Sequence, residues 1–136
     1  MSIAGIRKWA SILLAGSFVL PLSKCTTQTT ETRTYAFELL LDAINNIAAA
    51  KFDGVWMLLA VLAVFFLPLL LLGLRERERI ISGILLITSI LASNCLYFWV
   101  FVFSTHAMMG GVLAILAWLT LLGTSLWNLL RQELKR

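Results

Sequence analysis

Three long runs of apolar residues follow one another in the second half of the chain. They cover residues 55–74, 80–103 and 107–130, and none of them contains Asp, Glu, Lys or Arg. A helix needs about 20 apolar residues to cross a bilayer, so each run predicts a transmembrane helix. Only short connections separate them, the segment RERER at 75–79 and Ser104-Thr105-His106. Loops this short predict antiparallel neighbours in a small helical bundle.

The N-terminal residues 1–24 show a weaker version of the same pattern. Arg7 and Lys8 precede an apolar run from Trp9 to Leu22 that is short for a span. A basic start followed by a short apolar run is typical of a secretory signal peptide, but a first transmembrane helix fits as well. Both alternatives stay open. The protein has three spans if residues 1–24 are a signal peptide and four if they form a transmembrane helix.

A polar segment follows at 25–34, rich in Thr, and it predicts an extended, solvated linker. Its first residue, Cys25, comes after Leu22, Ser23 and Lys24. Leu22 and Ser23 before a Cys resemble the lipobox of bacterial lipoproteins, whereas Lys24 stands where that motif carries a small residue. The resemblance covers only the first 25 residues and implies lipidation of Cys25 after cleavage.

Residues 35–53 show the periodicity of an amphipathic helix. At helical pitch Phe37, Leu41 and Ile44 fall on a wide apolar face, and Glu38 and Asp42 fall on a narrow acidic one. Thr34 is the candidate N-cap and Gly54 the candidate stop. A helix that binds anionic lipid carries cations on its polar face. We therefore expect this one to lie on the outer face, across helix ends or against a partner protein.

Composition agrees with a membrane protein. Of the 136 residues 60% are hydrophobic and 13% are charged, against about 45–50% and roughly 25% in soluble domains. Outer-membrane barrels need alternating apolar and polar residues, and the runs here are continuous. The expected fold class is therefore all-α and polytopic.

The net charge of +4 indicates topology, because the basic residues lie in small groups at the ends of the apolar runs. If the N-terminus, the RERER segment and the C-terminus are cytoplasmic, eight of the eleven basic residues lie inside. Residues 25–53 are then periplasmic or extracellular. Such a distribution does not form a basic face for nucleic acid, so no nucleic-acid partner is expected.

Small and polar residues repeat along single faces of two predicted spans. Such residues let helices approach closely and bond across the contact. We expect the two faces to pack together, or one of them to receive a partner subunit, and we expect Asn94 to hydrogen-bond between helices. The helix-packing residues are Ser82, Ser89 and Ser93 in one span and Gly110, Ala114, Ala117, Thr124 and Asn128 in the other.

Candidate chemistry is sparse. His106, Met108 and Met109 cluster before the last span and carry the soft ligands that suit Cu(I), but their spacing matches no metal motif. Packing or loop roles are therefore expected for them, with no cofactor. No ionisable residue lies within the three runs, which argues against an ion-coupled transporter. No catalytic constellation is present, so an enzyme is not expected.

These features predict an accessory or assembly subunit of a larger bacterial inner-membrane complex, with the bilayer and other membrane subunits as partners. The alternative is a stand-alone immunity or superinfection-exclusion protein. A third hypothesis is a small carrier or metal-handling membrane protein.

Overall fold

A computed structural model describes residues 3–26, 31–72, 78–102 and 104–134. The chain is mostly helical and forms, in order, α1 (Ile3–Ser17), β1 (Pro21–Thr26), β2 (Glu31–Tyr35), α2 (Ala36–Ala48), α3 (Asp53–Leu71), α4 (Glu78–Tyr97), a π-helical segment (Phe98–Val102), β3 (His106–Ala107) and α5 (Met109–Glu133). Most of the RERER segment and residues 27–30 of the predicted linker lie outside the described residues.

Among the described residues, three helical stretches are long and apolar enough to cross a membrane. They are Asp53–Leu71, Ile80–Val102 and Met109–Glu133, which confirms the three runs identified in the sequence. The helix boundaries differ from the predicted ones by a few residues. Helix α3 begins before its apolar run, and α5 continues beyond its run to Glu133. The π-helical segment extends α4 to Val102.

A small three-stranded sheet accompanies the helices, in the order β2-β1-β3. Strand β1 pairs antiparallel with β2, Cys25 opposite Thr32, and with β3, Ser23 opposite Ala107. The mostly helical chain is consistent with the expected all-α fold, and the small sheet is an addition that the sequence did not predict. The described ends of the predicted linker at 25–34 are extended as predicted, but they are paired into a sheet.

Helix α2 is shorter than the predicted 35–53. It begins after Tyr35, whose backbone N–H donates to the Glu38 carboxylate at 3.0 Å, so Thr34 is not the cap. It ends at Ala48, and Ala50 takes a left-handed φ of 56°. The N–H groups of Ala50 and Lys51 then reach back to carbonyls of the last turn, as in a Schellman motif.

Gly54, the expected stop signal, has a different role. A Cβ atom placed there would lie 2.7 Å from both the Ala43 carbonyl oxygen and the Ile47 amide nitrogen. Gly54 therefore permits a close approach of α2 to the start of α3, and the Ala50 turn closes the connection between the two helices.

One buried apolar cluster joins all five helices and β1. It is built from small residues as well as large ones, which allows the helices to approach closely. Its members are Ala10, Leu14, Leu22, Ala36, Leu39, Val61, Phe65, Ala92, Leu96, Ala114, Ala117, Trp118 and Leu121. Phe18 packs edge-on against Phe65 and Phe66, with ring centroids 5.6 and 5.2 Å away.

The fully buried Trp118 of α5 replaces a backbone hydrogen bond that α3 lacks. Pro68 has no N–H group, so the carbonyl of Val64, four residues earlier, lacks its usual helical donor. The Trp118 indole N–H donates to that carbonyl at 3.1 Å. A buried carbonyl that the proline would leave unsatisfied thus gains a partner from another helix.

Candidate functional site

A buried polar cluster joins α1, α4 and α5 through Arg7. The guanidinium Nη2 donates to the Ser82 hydroxyl at 3.1 Å, to the Thr124 carbonyl at 3.3 Å and to the Ser125 hydroxyl at 3.5 Å. The Asn128 side-chain amide also donates to the Ser82 hydroxyl, at 3.1 Å. Ser82 and Ser125 are fully buried and Arg7 is only 9% exposed. These contacts fix α1 against the other two helices.

The sequence pattern of α1 explains why Arg7 lies inside. Arg7, Ala10, Ser11, Leu14 and Ser17 are buried and recur at helical spacing along one face. Lys8, next to Arg7, is exposed. Sequence reasoning assigned both to a basic start of the chain and missed this cluster. The line of small and polar residues after Arg7 was the signal that could have found it.

The helix-packing residues of α4 have different partners. Ser82 belongs to the Arg7 cluster, whereas the buried Ser89 hydroxyl donates to the Leu85 carbonyl of its own helix. The Ser93 hydroxyl is buried without a hydrogen-bond partner among the described residues. The expectation for Asn94 is wrong, because its exposed side-chain amide donates within α4, to the Ile90 carbonyl at 2.8 Å.

The helix-packing residues of α5 follow a buried face. Gly110, Ala114 and Ala117 are buried, whereas Thr124 and Asn128 are half-buried. Helix α5 packs closely against α4, and also against α1 and β1. At Gly110 an added Cβ would lie 2.7 Å from the Pro21 carbonyl oxygen. The segment after α1 therefore occupies part of the face that the sequence assigned to α4 or to a partner.

Gly111, beside this face, makes the tightest approach. An added Cβ there would overlap with the Leu22 carbonyl oxygen. That carbonyl accepts the Met108 N–H at 3.2 Å. The two glycines thus let the start of α5 lie directly on the first residues of β1.

Cys25 lies on the middle strand of the sheet and its side chain is exposed. The carbonyl of Lys24 accepts two hydrogen bonds from Thr105, from the N–H at 3.2 Å and from the hydroxyl at 2.9 Å. The Thr26 N–H donates to the same hydroxyl at 2.9 Å. Both sides of Cys25 are therefore bonded to the segment that precedes α5.

Lys24, the residue that departs from the lipobox, forms an ion pair across the hairpin. Its Nζ lies 2.7 Å from the Glu31 carboxylate. The hydrogen bond and the positive charge of Lys24 lower the pKa of Glu31 below its ordinary value of 4.5. The Lys24 side chain thus contributes to strand pairing on the surface of the sheet.

The candidate metal residues lie next to one another along the connection to α5. His106 is exposed and stands opposite Lys24 in the sheet, Met108 is half-buried, and Met109 is 72% exposed. Within the described parts of the chain, no three His, Cys, Asp or Glu side chains are grouped so as to hold a metal ion. The backbone of this segment pairs with β1.

Helix α2 leaves part of its apolar face exposed. Ala36, Leu39 and Ala43 are buried, whereas Phe37, Leu41 and Ile44 are 37%, 53% and 47% exposed. We call these three residues the α2 row. At helical pitch Asp42, which is exposed, lies on the polar face, about 100° around the helix from Leu41.

Comparison of the chain with known protein families, with curated proteins and with solved structures finds no match. The structure presents a buried cluster of hydroxyl groups around the Arg7 guanidinium, a hydrogen-bonded segment at Cys25, and an exposed apolar row on α2.

Proposed function

We propose that the protein is a small non-catalytic subunit of a larger complex in the bacterial inner membrane, and that it binds its partner through α2. The observation that carries the proposal is the α2 row. These large apolar side chains stay exposed on a 13-residue helix that is too short to cross a bilayer. An apolar row beside a polar face is typical of a protein-interaction surface.

The charge beside the α2 row favours a protein partner over anionic lipid. Asp42 is exposed, and Glu38 lies one turn earlier on the same side. Helices that bind the surface of anionic membranes carry Lys and Arg at such positions. The fitting partner has an apolar surface with basic residues at its rim, so that the acidic side of α2 meets opposite charge.

The small-residue faces are less suited to this contact. Gly110 and Gly111 lie against the chain from Leu20 to Leu22, and Ala114 and Ala117 are buried in the protein's own core. A partner could reach them only by displacing parts of the same chain. Helix α2 lies outside the three candidate spans and still exposes an apolar row, which favours it as the contact surface.

The proposed orientation keeps the N-terminus, the RERER segment and the C-terminus in the cytoplasm. The distribution of basic residues supports it, with eight of eleven on that side. Helices α3, α4 and α5 then cross the membrane in alternating directions, with α1 packed against both α5 and α3. The sheet and α2 lie on the periplasmic or extracellular side. Partner contact through α2 is accordingly expected outside the cytoplasm.

The test is co-purification in mild detergent from the native host, with quantitative mass spectrometry of the partners. The double variant Leu41→Ala and Ile44→Ala truncates the α2 row. Truncating two apolar side chains at an interface costs roughly 1 kcal/mol each or more, so partner recovery should fall at least about tenfold. The matched control is Leu59→Ala with Leu62→Ala on α3, where the side chains are 53% and 41% exposed.

A stoichiometric partner that survives the α2 double variant, with both variants monodisperse, would contradict the use of α2. Absence of any stoichiometric partner would contradict the subunit proposal itself. If the protein then protected a sensitive host when expressed alone, a stand-alone immunity or exclusion function would replace it. Asp42→Lys is a second test, because charge reversal should weaken a partner with a basic rim.

A further inference from the structure

We infer that α1 is a lipid-facing helix that stays in the mature protein, and that Cys25 is a free thiol rather than an acylated N-terminus. The interaction surface is the exposed face of α1 and its partner is the acyl-chain region of the bilayer. This inference does not depend on the proposed role of α2.

The polar and apolar residues of α1 are arranged as in a membrane helix. Its interior face carries Arg7, Ser11 and Ser17, all buried. Its exposed face carries Trp9 and Leu13, which are 61% and 50% exposed. A helix at a water-facing surface shows the opposite arrangement, with polar residues outside. Lipid acyl chains are the environment that suits large apolar side chains outside and small or polar ones inside.

Arg7 ties the N-terminal half of α1 to the helices that follow much later. Its guanidinium contacts Ser82 and Ser125, both fully buried. If α1 were removed, these hydroxyl groups would lose a charged donor within an apolar surrounding. Hydrogen bonds that involve a charged group stabilise a protein more than neutral ones do. The contact is therefore one that the folded protein needs.

The residues that follow α1 are also buried in the folded protein. Leu22 and Ser23 are 2% and 6% exposed, and the Leu22 carbonyl lies so close to Gly111 that only a glycine fits there. Removal of residues 1–24 would take away the first part of β1, the middle strand of the sheet. The apolar cluster would lose Ala10, Leu14 and Leu22 with it.

The bond that lipoprotein processing would cleave is held inside the sheet. This is the peptide bond between Lys24 and Cys25, whose carbonyl accepts two hydrogen bonds from Thr105. A peptidase binds its substrate as an extended chain whose backbone groups are available. Here β1 has a partner strand on each side. The folded protein thus withholds the bond from cleavage.

Intact-mass measurement of the purified full chain, tagged at the C-terminus, tests retention. The expected mass is that of the whole sequence, with or without the initiating Met, and without lipid. Cys25→Ser should change this mass only by the exchange of sulfur for oxygen. Loss of residues 1–24 with a lipid-sized addition on Cys25, and a longer precursor for Cys25→Ser, would overturn the inference.

Spin labelling tests the lipid-facing surface. In a background with Cys25→Ser and Cys95→Ser, a nitroxide is attached at Leu13→Cys in proteoliposomes. Lipid-soluble oxygen should relax this label more than a water-soluble nickel chelate does. Lys8→Cys, on an exposed residue near the start of α1, is the matched control and should show the higher chelate accessibility. Preferential relaxation of the Leu13 label by the chelate would overturn the assignment of this face to lipid.

Discussion

At the scale of single residues, Arg7 shows how a charge can be accommodated among apolar helices. Its guanidinium lies among hydroxyl and carbonyl oxygens supplied by Ser82, Thr124 and Ser125. These oxygens give the Nη2 group acceptors, without which its burial would be costly. The neighbouring Lys8 is exposed, so two adjacent basic residues have opposite structural roles.

Replacement of Arg7 should therefore destabilise the protein more than replacement of Lys8. Arg7→Leu removes charge-assisted hydrogen bonds, each worth about 1.5–3 kcal/mol, and we expect a lower thermal unfolding temperature in detergent. Lys8→Leu is the matched control and should leave this temperature nearly unchanged. Equal shifts for the two variants would contradict a structural role for Arg7.

Gly111 and Gly123 on α5 provide a second pair of test and control substitutions. Gly111→Ala places a Cβ against the Leu22 carbonyl oxygen, whereas nothing lies within 4 Å of a Cβ at Gly123. Overpacking of a close contact costs about 1–3 kcal/mol, while an Ala in an open helical position is favourable by up to about 1 kcal/mol. Thermal unfolding should thus separate the two variants in opposite directions. A stabilising Gly111→Ala would show that α5 and β1 are not in close contact.

Trp118 and Pro68 should be energetically coupled through the Val64 carbonyl. Trp118→Phe removes the indole donor and leaves that carbonyl unsatisfied, at about 1–3 kcal/mol for the lost bond. Pro68→Ala restores a backbone N–H four residues after Val64, so Trp118→Phe should cost less in that background. A double-mutant cycle on unfolding free energies measures the difference. Strict additivity would contradict the repair of α3 by Trp118.

At the scale of elements, the β1–β2 hairpin depends on pH through the Lys24–Glu31 ion pair. The pKa of Glu31 is lowered in the folded hairpin, so its contribution to strand pairing is present above 4.5 and is lost as the pH falls through the lowered value. Carbon-detected NMR of the Glu31 carboxyl should give a titration midpoint below 4.5. Lys24→Gln should raise this midpoint, and an unchanged midpoint would contradict the ion pair.

The helices and the strands differ in how far they could be predicted. The apolar runs of α3, α4 and α5 are long enough that only helices satisfy their backbone groups in lipid. The segment of β1 and β2 is polar and lacks an alternating apolar pattern, so it carries no strand signal. Its pairing depends on Thr105 and His106, about eighty residues later in the chain, and no local pattern contains that information.

At the scale of the whole molecule, the role of α1 could not be decided from its composition. A basic residue before a short apolar run is shared by cleaved signals and by packed helices. In the structure Arg7 contacts residues of α4 and α5, and this packing supports the proposal that α1 is retained. The spacing of Arg7, Ser11 and Leu14 carried part of this information, because it places them on one face.

The sheet has a consequence for the order of synthesis. Strand β1 finds its second neighbour, β3, only when residues 106–107 have been made, and Arg7 meets Ser125 across a separation of 118 residues. Until the ribosome has completed α5, the N-terminal helix holds a charge without its final acceptors. Nascent chains of this kind need protection by the insertion machinery. A chain terminated before Thr105 should therefore be removed by membrane proteases rather than accumulate.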